Sequence, residues 1–125
     1  MNNSKDYMAL AFEMKAQSNN KNRQVGAAIT NGVAAHNRHV SLLERRTTAV
    51  HAEATAICQC AAEGPSTKGH EIYVTLSPCV ACAKLIVDAG ITAVYFHTLD
   101  LEQLEAINIL HSCDVKVHGP LEETE

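Results

Sequence analysis

The chain has 125 residues, of which 46% are apolar, and a formal net charge of −4. This length suits one domain with one core, and the apolar content excludes a disordered chain. The acidic balance disfavours binding along an extended polyanion such as DNA or RNA. We therefore expect a single domain over residues 1–125, in which residues 118–125 form a frayed acidic tail.

The N-terminal sequence MNNSKDYMAL lacks the basic and then apolar segments of a secretory signal. No run of 18 apolar residues is present, so no membrane span is expected. These features predict a cytoplasmic protein with no membrane partner. A disulfide framework is disfavoured in that reducing compartment, so the five cysteines point to metal binding or catalysis.

Apolar periodicity and turn residues predict elements in the order α-β-β-α-β-α-β-α-β. In chain order these are a helix over 4–17, two strands around Asn31-Gly32, a helix over 50–62, the strand EIYVTL, a helix from Ser77-Pro78 to Gly90, the strand ITAVYF, a helix capped by Asp100 with Leu101, Leu104, Ile107 and Leu110 facing inward, and the strand DVKV. Residues 38–49 are predicted to form a polar loop. The helix over 50–62 is apolar nearly all round, which predicts burial on every side.

Strands joined through a helix are usually parallel, whereas the Asn31-Gly32 turn predicts an antiparallel hairpin. The expected fold class is therefore α/β, a three-layer α-β-α arrangement around a mixed five-stranded sheet with helices on both faces. In such folds ligands bind beyond the carboxyl ends of the parallel strands, where helices begin.

The stretch TLSPCVACAKLIVDAG carries two cysteines at the predicted start of a helix. A CxxC pair can form a disulfide, carry out redox chemistry or hold a metal. Cys79 and Cys82 are three positions apart, so both thiols can face one ion, and the helix dipole favours their thiolate forms.

The helix over 50–62 supplies a third metal ligand. His51 lies at its predicted N-terminus, and Glu53 follows two residues later. Three protein ligands with one open position are typical of catalytic zinc, whereas structural zinc usually takes four. We expect one zinc ion held by His51, Cys79 and Cys82. The other cysteines, Cys58, Cys60 and Cys113, are predicted to be small core residues.

Five basic residues lie between positions 21 and 46, against a single acid, Glu44. They are Lys21, Arg23, Arg38, Arg45 and Arg46. This local patch on an acidic chain fits a small anion, although solvated loop charge explains it equally well. If the loops line the metal site, we expect Arg23, Arg45 and Arg46 to contact the anionic group of a bound small molecule.

The H-x-E and P-C-x-x-C motifs match the signature of zinc nucleobase deaminases. Together with VGAAIT, HAEATAI and YVTLSPCVACAKLIVDAGITAVYF, they resemble the cytidine/deoxycytidylate deaminase superfamily, and within it most closely the deoxycytidylate (dCMP) deaminases of phage type. The resemblance covers roughly residues 22–98. It implies hydrolysis of dCMP to dUMP and ammonia, with zinc as the cofactor and a small nucleotide as the substrate.

The resemblance also implies roles for individual residues. His51, Cys79 and Cys82 match the zinc ligands, and Glu53 matches the proton-shuttling acid that does not bind the metal. The sugar-contacting asparagine corresponds to Asn37, and Ala52 and Ser77 match positions whose backbone meets the pyrimidine edge. Relatives form homo-oligomers, so we expect one here.

Four alternatives remain open at this point. Within the superfamily, the chain could be a tRNA- or DNA-editing deaminase, although its acidic charge disfavours that, or a free-nucleoside deaminase. It could instead be a non-catalytic zinc-bound partner subunit, for which Glu53 would have no use. A redox CxxC protein is the last alternative, and bound zinc would exclude it.

Overall fold

The computed structural model describes residues 4–19, 23–41 and 47–121. Within these ranges the chain forms helices and strands in the predicted order, except for two additional strands before the second helix. In chain order they are α1 (Ser4–Ala16), β1 (Gly26–Ile29), β2 (Ala34–His36), β3 (Arg38–Ser41), β4 (Thr47–Val50), α2 (Ala52–Glu63), β5 (Glu71–Leu76), α3 (Val80–Asp88), β6 (Ala93–Thr98), a 3-10 turn (Leu101–Gln103), α4 (Leu104–Ser112) and β7 (Lys116–His118).

The main sheet has five strands in the order β2-β1-β5-β6-β7. Strand β1 pairs antiparallel with both β2 and β5, and β5, β6 and β7 pair in parallel. The predicted mixed five-stranded sheet is therefore confirmed. Because β5 and β6 both lead toward helices, their carboxyl ends and the N-terminus of α3 lie at the same edge of the sheet.

The Asn31-Gly32 turn joins β1 to β2 as predicted. Gly32 has a φ of 100°, which residues with a Cβ rarely adopt, and its amide donates to the Ile29 carbonyl at 2.8 Å. The Asn31 side-chain oxygen accepts a hydrogen bond from the Val33 amide at 3.0 Å. The turn chemistry in the sequence thus fixes the hairpin register.

Helices cover both faces of the sheet. The larger core lies between the sheet and α2, α3 and α4, where the largest fully buried side chains include Phe96, Ile72 and Ile86. On the opposite face, Met8 and Ala11 of α1 pack with Tyr73 of the sheet. This arrangement confirms the three-layer prediction.

Helix α1 lies unusually close to β1, and Gly26 allows this approach. A Cβ placed at Gly26 would lie 1.8 Å from the Ala11 carbonyl oxygen and 2.5 Å from the Lys15 nitrogen. Both neighbours are backbone atoms, which cannot move without shifting the helix. Glycine at this position therefore sets the spacing between the first helix and the sheet.

The prediction of a polar loop over 38–49 is wrong. Strands β3 and β4 occupy most of it and pair antiparallel in a separate two-stranded sheet, with Arg38 opposite Val50 and Ser41 opposite Thr47. The segments RHVS and TTAV contain valine and threonine, which favour extended backbone. Charged residues between the two segments, Glu44, Arg45 and Arg46, and the polar residues within them obscured this pattern in the sequence.

Four predictions about the helices and the side chains near them are also wrong. Only one face of α2 is buried, through Ala52, Glu53, Ala56 and Cys60, whereas Cys58 and Cys113 are exposed rather than core residues. Leu101 is 73% exposed and Leu104 is 49% exposed, because a 3-10 turn precedes α4 and rotates both side chains away from the core. Helix α3 begins at Val80, two residues later than the predicted first position at Pro78.

Residues 118–121, the first part of the expected tail, are described by the structure. His118 ends β7, and the Leu121 amide donates to the Phe96 carbonyl at 3.0 Å. The remainder of the tail, residues 122–125, lies outside the described residues. Among the helices that the structure describes, none combines the length and the apolar character needed to span a membrane.

Candidate metal centre and active site

Three side chains predicted to bind metal come together at the carboxyl edge of the sheet. The ligand atoms of His51, Cys79 and Cys82 all lie within 4.8 Å of one another. The His51 Nδ1 atom is 3.4 Å from the Sγ atom of Cys79 and 3.4 Å from the Sγ atom of Cys82. The sequence placed these residues on separate segments, and the fold brings them into one cluster.

Two helix N-termini create this cluster. His51 is the N-cap of α2, and Cys79 is the N-cap of α3. Cys82 lies in the first turn of α3, where its backbone N–H donates to the Cys79 sulfur at 3.4 Å. The unpaired amides and the dipole at a helix start favour negative charge, so this position suits a thiolate.

Hydrogen bonds within the cluster lower the pKa of Cys79. The largest cause is its contact with the Cys82 thiol, followed by its contact with His51. The same sharing of a proton raises the pKa of Cys82, which burial raises further. The Cys79 contact also raises the pKa of His51. The direction of these shifts favours a thiolate at Cys79, which is the form of cysteine that binds a metal.

Glu53 lies beside the cluster with its carboxyl group enclosed by protein. The residue is only 4% exposed, and burial raises its pKa to about 7. The Cys82 side chain opposes this shift and lowers the pKa by a smaller amount. Burying a carboxyl group on the first turn of α2 lowers the free energy of unfolding. Its raised pKa suits a group that accepts and returns a proton near neutral pH.

The geometry of the cluster fits zinc. Bond lengths of about 2.3 Å to sulfur and 2.0–2.1 Å to nitrogen in a tetrahedral site place the nitrogen and sulfur ligands about 3.6 Å apart. The observed 3.4 Å separations are close to this value. Two cysteines and one histidine are also a donor set that zinc prefers, and three protein ligands leave a fourth position open.

A protein-family model matches residues 1–98 of the chain and describes the cytidine and deoxycytidylate deaminase zinc-binding region. The chain belongs to this deaminase family. The match includes all three residues of the metal cluster and Glu53. Membership explains why a histidine and a glutamate two residues apart share the start of one helix, and why a CxxC pair starts the next.

Curated relatives of this chain include the deoxycytidylate deaminase of Enterobacteria phage T2, which is 42% identical over 69 residues, covering 54% of this chain and 37% of the phage protein. The deoxycytidylate deaminase of Homo sapiens is 35% identical over 114 residues, covering 72% of this chain and 61% of the human protein. The chain spans only 25% to 37% of the length of the first three curated relatives that it matches.

A solved structure agrees with this chain over nearly its whole length. The dCMP deaminase of cyanophage S-TIM5, in complex with dCMP and dUMP, has a TM-score of 0.77 and 29% sequence identity, and the alignment covers 91% of this chain and 93% of that chain. The apo form of the same phage enzyme gives a TM-score of 0.75 at 30% identity. The fold prediction is thereby confirmed, including the deaminase-like arrangement of helices around the mixed sheet.

Two of the predicted substrate-binding residues lie close to the cluster in the fold. Ala52 follows His51 and is completely buried at the start of α2. Ser77 precedes Cys79 by two positions and is also buried, and its amide donates to the Thr98 carbonyl at 2.9 Å. The backbones of Ala52 and Ser77 therefore belong to the two segments that carry the metal ligands.

Asn37 is buried at the end of β2, and its side chain is engaged by the protein. Its amide oxygen accepts hydrogen bonds from the Ser18 hydroxyl at 2.6 Å and from the Val25 amide at 2.9 Å. Its amide nitrogen donates to the Arg23 carbonyl at 2.8 Å. Asn37 thus ties the end of α1 and the start of β1 to β2, a function that sequence reasoning did not foresee.

The predicted phosphate-binding arginines are described only in part. The Arg23 guanidinium lies 3.0 Å from a carboxylate oxygen of Asp100. Arg45 and Arg46, together with Lys21, lie outside the described residues. Asp100 was predicted only as a helix cap. Its position directly after a parallel strand was the available sequence signal that it would lie near the site.

A separate cavity of about 390 Å³ lies between α1, β2 and α2. Its lining includes His36, Arg38 and Thr55, and none of the three metal-cluster residues. The Thr55 hydroxyl is buried and has no hydrogen-bond partner among the described residues. Arg38, one of the basic residues between positions 21 and 46, therefore lines this cavity, in which Thr55 lies one helical turn after His51.

Proposed function

We propose that this chain catalyses the hydrolytic deamination of dCMP to dUMP and ammonia. The observation that carries the proposal is the meeting of His51, Cys79 and Cys82 with the buried Glu53 at the carboxyl edge of the sheet. The similarity to deoxycytidylate deaminases from phage and human sources supports the choice of substrate, as does the phage enzyme bound to dCMP and dUMP.

His51, Cys79 and Cys82 would hold one zinc ion, leaving its fourth position for water or substrate. Bound there, zinc would lower the pKa of a coordinated water to about 7 and so supply a nucleophile at neutral pH. The cysteines favour the metal because the helix dipoles already stabilise negative charge at their sulfurs.

Glu53 would transfer the protons. Deamination moves both protons of the attacking water, one to the ring nitrogen as the oxygen adds and the other to the amino group as it leaves and the carbonyl forms. A single carboxyl group whose pKa burial raises to about 7 can accept and return a proton near neutral pH. Its position on the first turn of α2, two residues after His51, keeps it at a fixed distance from the metal ligands.

Ala52 and Ser77 would position the base through their backbone groups, because both lie within two residues of a metal ligand. Arg23 would meet the phosphate from the rim of the site, with Arg45 and Arg46 as further candidates. Asn37 would support this rim by holding the Arg23 backbone. The family resemblance further implies that Asn37 contacts the sugar of the nucleotide.

A substrate panel tests the proposal. Ammonia release is measured from dCMP, CMP, deoxycytidine, dCTP and a cytosine-containing oligonucleotide, using protein purified without chelator. We expect dCMP to have the highest kcat/KM. Equal efficiency on dCMP and deoxycytidine would replace the assignment with a nucleoside deaminase, and activity confined to the oligonucleotide would indicate an editing enzyme.

Zinc content and assembly are measured on the same preparation. We expect one zinc ion per chain, and the alternative of a CxxC redox protein predicts none. We also propose that the protein is a cytoplasmic homo-oligomer formed from single-domain chains. Light scattering after size-exclusion chromatography measures the mass of the assembly. A monomer at all concentrations would contradict the proposed homo-oligomer.

A further inference from the structure

An ion pair connects the first loop of the chain to the edge of the sheet where the metal cluster lies. The Nη1 atom of Arg23 is 3.0 Å from the Oδ2 atom of Asp100, although 77 positions separate the two residues in sequence. The Arg23 side chain is 60% exposed, whereas Asp100 is 11% exposed. The carboxylate is therefore the fixed partner, and the guanidinium extends from it toward solvent.

Asp100 is held in place by contacts of its own. Its backbone amide donates to the Ser77 hydroxyl at 2.8 Å, which joins the loop after β6 to the segment that leads into Cys79. Its Oδ1 atom accepts a hydrogen bond from the Glu102 amide at 3.0 Å and caps the 3-10 turn. The two carboxylate oxygens thus have separate partners, the turn for Oδ1 and Arg23 for Oδ2.

The backbone of Arg23 is fixed as well. Asn37 accepts from the Val25 amide and donates to the Arg23 carbonyl, so the chain on the C-terminal side of Arg23 is anchored to the end of β2. With its backbone and its guanidinium both held, a long side chain loses most of its rotamer freedom before any ligand arrives. Preorganisation of this kind strengthens binding because the ordering cost is met in the free protein.

We propose that Asp100 is a positioning residue, which holds the Arg23 guanidinium beside the Ser77 loop so that it meets the phosphate of the substrate. This inference rests on the proposed dCMP deaminase function and deepens it. Asp100 acts through Arg23 and sets the preference for a nucleotide over the bare nucleoside. A planar guanidinium has five N–H donors, so pairing through Nη1 is compatible with donation to an anion.

The substitution Asp100→Asn separates the two tasks of the carboxylate. Asparagine keeps one oxygen, with which it can still cap the 3-10 turn, and it is a favoured capping residue. Its other terminal atom is an amide nitrogen, which cannot accept a hydrogen bond from Arg23. The variant is therefore expected to fold normally and to release only the guanidinium.

The measured quantity is the ratio of kcat/KM for dCMP to kcat/KM for deoxycytidine. Because an exposed ion pair contributes a modest amount, we expect the ratio to fall about three- to fivefold in Asp100→Asn, through a higher KM for dCMP. The same change introduced into an Arg23→Ala background should produce no further fall, since the residue through which Asp100 acts is then gone.

Asp114→Asn is the matched control. Asp114 is exposed at the other end of the sheet, and its φ of 65° is a conformation that asparagine adopts readily. This variant should keep the wild-type ratio. Circular dichroism and the thermal midpoint of all variants check that the fold is intact.

The outcomes separate this inference from the proposed function. A wild-type enzyme with no preference for dCMP would overturn the nucleotide assignment and the role of Asp100 together. A wild-type preference that is unchanged or larger in Asp100→Asn would overturn only the positioning role. A fall of equal size in the Arg23→Ala background would show that Asp100 does not act through Arg23.

Discussion

Replacing Glu53 with glutamine isolates its proposed role in proton transfer. Glutamine has nearly the same size and shape, but its amide cannot accept and return a proton. Glu53 is 4% exposed, so the substitution also removes an ionisable group from a buried position and should not lower stability. The His51, Cys79 and Cys82 ligand set stays unchanged, so the variant should retain its zinc.

The expected loss of activity follows from the contribution of a well-placed proton shuttle. General acid–base catalysis typically accelerates a reaction about 10²- to 10⁴-fold. Among the described residues, the metal cluster of His51, Cys79 and Cys82 itself contains no carboxylate that could take over this role. We therefore expect kcat for dCMP to fall at least about a hundredfold in Glu53→Gln.

The assay combines turnover with metal analysis. Initial rates of ammonia release give kcat, elemental analysis gives the zinc content per chain, and thermal unfolding checks the fold. Glu63→Gln is the matched control, since Glu63 is exposed at the far end of the same helix. A Glu53→Gln variant that retains zinc and more than a tenth of the wild-type kcat would refute the shuttle role.

Three further predictions concern the metal, the phosphate and the fold. Cys79→Ser should lose most of its zinc, whereas Cys58→Ser, which changes an exposed cysteine on α2, should keep it; equal zinc content in both would remove Cys79 from the ligand set. Arg23→Ala should lower the ratio of dCMP to deoxycytidine efficiency about ten- to a hundredfold, because a charge-assisted hydrogen bond contributes about 1.5–3 kcal/mol. An unchanged ratio would place the phosphate elsewhere. Gly26→Ala should lower the free energy of unfolding by about 3 kcal/mol or more, because its Cβ would lie 1.8 Å from the Ala11 carbonyl oxygen. A chemical denaturation midpoint equal to wild type would contradict this helix–strand contact.

Local sequence patterns predicted much of the fold. The strand EIYVTL has the bounds predicted for it, and the hairpin at Asn31-Gly32 forms as expected. Both elements depend on residues that are neighbours in sequence. The strand follows from a short apolar run, and the hairpin follows from a turn with positive φ. By contrast, β3 and β4 depend on pairing with each other, and a polar sequence with weak periodicity did not reveal that pairing.

The burial of side chains was harder to predict than the elements that carry them. The apolar composition of α2 indicated burial all round, yet Cys58 is exposed and Cys60 is buried. A helix buries the face that its neighbours cover, and composition does not specify which neighbours those are. The same limit applies to Leu101, whose exposure follows from the 3-10 turn before α4.

The sequence by itself determined the candidate metal ligands and the acid. His51 and Glu53 are two positions apart, and Cys79 and Cys82 are three apart, so the geometry within each pair follows from local helix structure. Only the tertiary structure decided that Arg23 pairs with Asp100 and that Asn37 holds the Arg23 backbone. The physical reason is that these contacts join segments far apart in sequence, and their partners are set by how the sheet and helices pack.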